Sequence, residues 1–405
     1  MITALVNCRI LGEDGPLEGL CVLLEDGRIR DVVPPSDARC KQARRRDLGG
    51  QLLLPGFIDS QVNGGGGVLF NDAPSVDVIR RIGSAHRRFG TTGFLPTLIS
   101  ADLEVVARAI AAVQAALQAE VPGVLGIHIE GPFLNVARKG VHDPAKLREL
   151  DASAIGLLTS LRGGRTLVTL APEMTTPELI QKLVNAGVVV SAGHTNATYV
   201  EITRALQHGL SGFTHLFNAM SQLTGREPGV VGAALDDRDS WCGIIVDGAH
   251  TDPVVLRIAL RCKRHERFML VTDAMPSVGT EEKSFDLQGR RITVSGSLCV
   301  DEDGRLAGSN IDMASCVRNA MSLLALPLAE AVRMASLYPA EFLGLAHELG
   351  RIAPGYRANL VLVDEQLRVL NTWIDGRAND ESPPPPHPAP EAPTPSTTSA
   401  QEPTH

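Results

Sequence analysis

The chain has 405 residues, 44% of them apolar and 21% charged, enough for one large soluble core with something smaller beside it. Its formal net charge of −8 argues against a general affinity for nucleic acid or anionic membranes, although a small basic pocket for an anionic substrate is compatible with an acidic surface. The first residues lack the basic start and apolar run of a signal peptide, no apolar stretch approaches the roughly 20 residues of a membrane span, and the seven cysteines are scattered without a CxxC pair, so a cytoplasmic protein without disulfides is expected.

Residues 1–51 read as short strands and turns: ITALVNCRIL, then GLCVLLEDGRIRDVV with Asp26-Gly27 at a hairpin turn. From residue 52 the texture changes to eight apolar, β-branched runs. They are LLLPGFIDSQ (52–61), GFLPTLIS (93–100), VLGIHIEG (124–131), TLVTLAPE (166–173), VVVSAGHT (188–195), GFTHLFNA (212–219), CGIIVDGAH (242–250) and FMLVTDA (268–274). Helical patterns separate most of them, including VDVIRRIGSAHRRF, LEVVARAIAAVQAALQAE, PELIQKLVNAG and YVEITRALQHG. Strand–helix alternation implies parallel pairing, and near-continuous apolar strands imply burial on both faces. Eight such units within 52–350 predict an α/β chain with a (β/α)8 TIM-type barrel.

A doubly wound open sheet is the alternative, weakened because no Gly-rich phosphate fingerprint follows the first strand and opens a helix. The four glycines at 64–67 read instead as a turn after that strand. Within 351–380, ANLVLVDEQLRVLNTWIDGR returns to strand texture, so both chain ends are expected to meet in a small β-sandwich domain. The segment 381–405 is dominated by Pro, Ser, Thr, Ala and Glu and reads as a disordered tail, with His387 and His405 outside any chemistry.

In a barrel of this kind the catalytic groups stand at the C-terminal ends of the strands. Those ends carry His128 and Glu130 on the third run, His194 on the fifth, His215 on the sixth, Asp247 and His250 on the seventh, and Asp273 on the eighth. Asp59, Gln61 and Asn63 close the first. A single His at a strand end is more often a hydrogen-bonded core residue than a ligand, and a single Asp is more often a helix N-cap. A carboxylate, two imidazoles and a further carboxylate at one end of one barrel change that balance.

Glu130, His194 and His215 suit one Zn²⁺ with a position left for water; ligand type does not exclude Fe²⁺, Co²⁺ or Mn²⁺. Such an ion lowers the pKa of water and polarises a carbonyl, which leaves Asp273 to act as general base and then as general acid. His128, two residues before Glu130 and on the same face, reads as a group that orients ligands from one layer deeper.

These residues lie in longer motifs: PGFIDSQVNGGGG, LPTLIS, GIHIEGPFLN with KGVHDP, LAPEM, VSAGHTNAT, THLFNAMSQLTGREPG, CGIIVDGAH, LVTDA and LCVDEDGRLAGS. With them the chain resembles the N-acetylglucosamine-6-phosphate deacetylase family of the amidohydrolase superfamily, in matching order from residue 1 to about 378. The resemblance implies deacetylation of that sugar phosphate, with Glu130, His194 and His215 as metal ligands and Asp273 as acid/base. It further implies that Asn218, Ala219, Arg226 and His250 bind the sugar phosphate, Arg226 and His250 reaching across the interface of a homodimer. Val141 and His142 match positions near the acetamide, and Leu306, Ala307, Gly308 and Ser309 a loop that closes over the sugar.

Read alone, Arg226 fits a surface ion pair with Glu227, and His250 a strand-end histidine with a solvent partner. Many superfamily members carry His-x-His after the first strand and bind two metals there. Gln61 and Asn63 hold those positions here, and amides are poor Zn²⁺ ligands, so one metal per subunit is expected, with both amides hydrogen-bonding to water or to ligands. N-acetylgalactosamine 6-phosphate or an N-acyl amino acid are alternative substrates. A non-catalytic sugar-phosphate sensor would need broken machinery, and Glu130, His194, His215 and Asp273 are all intact.

Overall fold

The computed structural model describes residues 2–12 and 15–380; the Pro-rich segment 381–405, with His387 and His405, lies outside the described residues. Eight strands pair in parallel: β1 (Phe57–Val62), β2 (Thr91–Ile99), β3 (Gly126–Glu130), β4 (Arg165–Leu170), β5 (Val189–Ala192), β6 (Gly212–Phe213), β7 (Trp241–Ile244) and β8 (Phe268–Leu270). A bridge from Val62 to Ala274 and a bond from the Asp273 N–H to the Gln61 carbonyl (3.0 Å) bring the last strand beside the first and close the barrel.

Alternation along the strands divides the work. On β3, Ile127 and Ile129 join the large apolar core, while His128 and Glu130 turn to the opposite side. Helices between the strands cover the outside. Val76–Arg87 starts at Ser75, whose hydroxyl accepts the Val78 N–H, and it buries Ile79, Ile82 and Ala85 on one stripe. Tyr199–Gln207 starts with a capping box between Thr198 and Glu201. Phe57, Phe94, Phe213 and Phe268 are fully enclosed, each contributing about 1.5–3 kcal/mol through burial.

Both chain ends meet in one hydrogen-bonded sheet of eight strands. Thr3–Leu11, Pro16–Glu25, Arg28–Val33, Arg44–Asp47 and Leu52–Pro55 join Leu360–Val363, Val369–Ile374 and Arg377–Ala378. Alternate residues build an apolar cluster on each face, Leu5, Val22 and Leu24 with Trp373 on one, and Ala4, Val6, Cys21 and Leu23 on the other. The run 52–61, read from the sequence as one strand, is divided. Leu52–Pro55 pairs with Leu360–Val363, and only Phe57–Val62 enters the barrel. Gly56 separates them where the chain passes so close to Thr92 that a Cβ would stand 2.0 Å from its hydroxyl oxygen.

A second difference follows β8. A four-stranded antiparallel sheet, Ser284–Leu287, Arg290–Ser295, Leu298–Val300 and Leu306–Ser309, is inserted before the helix Met313–Leu324. Leu306, Ala307, Gly308 and Ser309 therefore form a strand, where a closing loop was expected. The alternation in FDLQGRRITVSGSLCV, with turns at Gln288-Gly289 and Gly296-Ser297, carries the signal for this sheet. Among the described residues no helix is long and apolar enough to cross a membrane, and all seven cysteines are free.

Candidate metal centre

Glu130 ends β3, His194 lies two residues beyond β5, and His215 two residues beyond β6. All three are buried, and their ligand atoms converge. His215 Nε2 stands 3.0 Å from Glu130 Oε1 and 3.1 Å from His194 Nε2, and His194 Nε2 is 3.2 Å from the same carboxylate oxygen. Three ligands about 2.0–2.1 Å from a common tetrahedral centre stand about 3.3–3.4 Å apart. The observed triangle needs to expand by only a few tenths of an ångström to hold a divalent ion.

The donors are prepared for that role. His194 Nδ1 donates to the Arg138 carbonyl (2.9 Å), which turns Nε2 toward the ligand triangle. Burial opposes the charge on Glu130, but the hydrogen bonds and charge of the two histidines outweigh it and hold the carboxyl well below its ordinary range. Burial works against protonation of His215 as well, and its contact with Glu130 prevails and raises it. The backbone at this end is unusual. His194, His215 and Asp273 have φ of +48°, +35° and +52°, a left-handed region costing about 1–3 kcal/mol for a residue other than glycine.

Asp273 faces the triangle from β8. Asn63 Nδ2 donates to its Oδ1 at 2.6 Å, and Gln61 Nε2 donates both to Asp273 Oδ1 (3.1 Å) and to Glu130 Oε1 (3.2 Å). Gln61 and Asn63 thus hold the two carboxylates apart and oriented. Burial and the neighbouring charge of Glu130 push Asp273 up to about 6.

His142 is buried with its ring centroid 4.4 Å from that of His194. The Ser100 N–H donates to His142 Nδ1 (3.3 Å), so the ring proton belongs on Nε2; burial and the His194 charge keep the ring neutral. His128 lies below the ligands, with Nε2 against the Thr169 hydroxyl (2.8 Å) and Nδ1 against that of Thr97 (3.2 Å). Burial lowers it to about 4, so it is a neutral core histidine. His215 also lines a small cavity with Ser60, His128, Ser191 and Thr214.

His250 Nδ1 binds Asp247 Oδ2 at 2.7 Å, and His250 lies close enough to Asp273 to lower its pKa. Asn218 Nδ2 donates to the carbonyls of His215 (3.1 Å) and Leu216 (3.2 Å), and the Ala219 carbonyl accepts the Thr195 N–H (3.1 Å). Val141 packs against the apolar cluster of the inserted sheet. Arg226 is exposed and is not brought to the ligand triangle, and it forms no ion pair with Glu227, whose Oε1 accepts the N–H groups of Tyr199 and Gly229.

Glu173 escapes a reading of the sequence altogether, whereas Asp59 and Asp247 are visible at strand ends but receive no role there. Asp247 has a visible signal, three residues before His250 in one turn. A cavity of about 1250 Å³ lies at the opposite barrel end against the end sheet, lined by Arg87, Arg165 and Arg357 among others. Among the described residues no cluster of metal-type ligands lies there.

The sequence matches the Amidohydrolase family over residues 52–379. It is 47% identical to an N-acetylgalactosamine-6-phosphate deacetylase of Shewanella sp. (strain ANA-3) over 324 residues, 80% of this chain and 82% of that one. It is 37% identical to an N-acetylglucosamine-6-phosphate deacetylase of Haemophilus influenzae over 377 residues, 92% of this chain and 98% of that one. The structure is similar to that of N-acetylglucosamine-6-phosphate deacetylase from Pasteurella multocida, with a TM-score of 0.90 at 36% identity, covering 93% of this chain and 99% of that one.

Proposed function

Because the chain belongs to the amidohydrolase family, we propose that it hydrolyses the acetyl amide of N-acetyl-D-glucosamine 6-phosphate, giving D-glucosamine 6-phosphate and acetate in amino-sugar catabolism. The observation that carries this reading is the buried Glu130–His194–His215 triangle with Asp273 held beside it, in a chain that aligns with deacetylases of this class over nearly their full length.

Glu130, His194 and His215 hold one divalent ion, with Zn²⁺ the choice that two imidazoles and a carboxylate favour. A bound ion of this kind supplies Lewis acidity, lowering the pKa of water and polarising a carbonyl. Asp273 takes the proton of the water that attacks the amide carbon and returns it to the departing nitrogen. Its carboxyl at about 6 is ionised at neutral pH yet basic enough to carry that proton. His142, with its proton on Nε2, offers a neutral donor to the amide oxygen, and Val141 lies beside it. Asn218, Ala219, His250 and the strand Leu306–Ser309 contact the sugar phosphate.

Val200, Leu223, Val254, Val255 and Ile258 are large, exposed and apolar; Leu223 lies in the loop that carries Arg226, and Val200 follows Tyr199, whose N–H donates to Glu227 of that loop. They support a homodimer through this face, in which Arg226 reaches the phosphate in the partner's site. Seven free cysteines support a cytoplasmic location.

Acetate release from the sugar phosphate tests the reading, comparing parent, chelator-treated protein and Asp273→Asn. Activity is expected in the parent alone; an inactive parent with metal bound would overturn the assignment. N-acetylgalactosamine 6-phosphate is the second reading, favoured by the name of the Shewanella relative. The two sugars differ at one hydroxyl configuration, and their kcat/KM ratio decides between them. Arg226→Ala and His250→Ala are expected to erase the preference for phosphorylated over plain N-acetylhexosamine.

A further inference from the structure

Glu173 lies in the short 3-10 turn Pro172–Met174 after β4, outside the ligand triangle. Its carboxylate accepts three hydrogen bonds from two neighbouring loops. Oε1 accepts from Asn135 Nδ2 (3.0 Å) and from the Asn196 N–H (2.6 Å), and Oε2 accepts from the Thr195 hydroxyl (2.6 Å). Asn135 belongs to the loop that follows Glu130; Thr195 and Asn196 directly follow His194.

Two routes lead from this carboxylate to His194. The first is the backbone. His194 is held at φ +48°, its carbonyl accepts the Asn135 N–H (3.0 Å), and the next two residues are those that Glu173 binds. The second is the ring. Its Nδ1 donates to the carbonyl of Arg138, at the end of the 3-10 turn Val136–Arg138 that Asn135 caps through a bond from the Ala137 N–H (2.9 Å). Arg138 Nε also donates to Asn196 Oδ1 (2.9 Å), joining the two loops again.

We infer that Glu173 is a positioning residue of the metal centre. Through Asn135, Thr195 and Asn196 it keeps His194 in its left-handed backbone conformation, and it keeps the Arg138 carbonyl where it fixes the tautomer that turns Nε2 toward Glu130 and His215. The inference rests on the metal-centre reading. A carboxylate that merely joined two loops would affect stability; one that positions His194 affects metal affinity and ligand geometry.

Metal-stripped protein separates these roles. Zn²⁺ affinity is measured by competition with a chromophoric chelator, and Co²⁺ is added to record the visible spectrum of the site, for the parent, Glu173→Ala, Glu173→Gln and Asn135→Ala. Groups that orient a ligand typically contribute about 10–100-fold to metal affinity. Glu173→Ala is expected to bind Zn²⁺ about 10–100-fold more weakly and to shift the Co²⁺ bands, and Asn135→Ala to weaken binding in the same sense. Glu173→Gln keeps a carbonyl oxygen for Asn135 and Asn196 and is expected to recover most of the affinity. Urea unfolding of the metal-free proteins checks the fold. A folded Glu173→Ala with the parent's Zn²⁺ affinity and Co²⁺ spectrum overturns the inference. Should that variant not fold, unaltered affinity in Asn135→Ala overturns it. A parent that binds neither ion overturns the metal-centre reading instead.

Discussion

Asp59 is a fully buried carboxyl on β1 with no cation beside it, and replacing it with Asn tests how the barrel accommodates it. Its partners are the N–H groups of Gln61 (3.2 Å) and Thr272 (3.3 Å) and the Thr272 hydroxyl. Burial dominates these bonds and pushes the carboxyl from 3.8 up to about 7. Between those values the native chain carries a proton that the unfolded chain has released. Stability attributable to this group is therefore highest at acid pH and falls as pH rises toward 7, by about 1.4 kcal/mol per unit and about 4 kcal/mol in total.

Asparagine reproduces the protonated form. Its carbonyl accepts the two N–H groups, its amide donates to the Thr272 hydroxyl, and that hydroxyl donates to the Gln61 carbonyl (3.4 Å). Asp59→Asn is expected to match the parent below about pH 3, to be more stable by about 1 kcal/mol at pH 4.5 and by about 4 kcal/mol at pH 8. Urea unfolding of both proteins from pH 4.5 to 8.5, at one fixed metal saturation, measures the difference. Because every other titrating group is shared, the difference isolates Asp59. A gap between the two proteins that stays constant across this range would refute the reasoning.

Gly193→Ala would place a Cβ 2.6 Å from the Thr169 methyl and 3.0 Å from Thr214 Cβ, where the two hydroxyls already bond to each other at 2.7 Å. It is expected to cost about 1–3 kcal/mol in calorimetry and to weaken Zn²⁺ binding by displacing His194; a parent-like result in both would contradict the geometry. Asp247→Asn removes the charged partner of His250. A loss of about 1.5–3 kcal/mol and a lower kcat/KM are expected. Burial opposes the charge on Asp247 and the His250 bond outweighs it, so its folded pKa lies below 3.8; the penalty should be full above pH 5 and shrink on acidification below 4. Stripping the metal should lower the unfolding midpoint of the parent, with about 4 kcal/mol recovered at a metal concentration a thousand times Kd. His194→Ala should lack that response, and a metal-dependent midpoint in this variant would exclude His194 as a ligand.

The barrel was legible because strands buried on both faces must be apolar almost throughout, and because ionisable residues stand out at the ends of such runs. Glu130, His194, His215 and Asp273 are conspicuous for that reason. The break at Gly56 was hidden because the apolar start runs on without interruption from Leu52 to Ile58 apart from Gly56, and Leu52–Pro55 and Phe57–Val62 are equally buried. Glu173 was illegible for another reason. Two of its three partners are a backbone N–H and a hydroxyl from the loop after the neighbouring strand β5, and such pairings leave no spacing to recognise. Arg226 stands apart again, since an exposed loop residue acquires a role only if another subunit supplies the rest of the site.

The inserted sheet shows why the strained conformations at the barrel end persist. His194, His215 and Asp273 must each turn a side chain inward from a strand end, and glycine, which would adopt positive φ freely, carries no ligand or base. The strain is therefore held by hydrogen bonds from neighbouring segments. Asp273 donates its N–H to Gln61 on β1, and its carbonyl accepts the Ser309 N–H at 2.9 Å from the last strand of the inserted sheet. That strand comes so near at Gly308 that a Cβ would stand 2.8 Å from the Asp273 carbonyl oxygen and 2.7 Å from Met275 Cγ. Leu306–Ser309 thus clamps the backbone of the proposed base, whatever it also contacts in the substrate. A side chain at 308 would disturb Asp273 before it disturbed the sugar, so Gly308→Ala should lower kcat more than it raises KM. A pure KM effect would mean that the strand acts on the substrate alone.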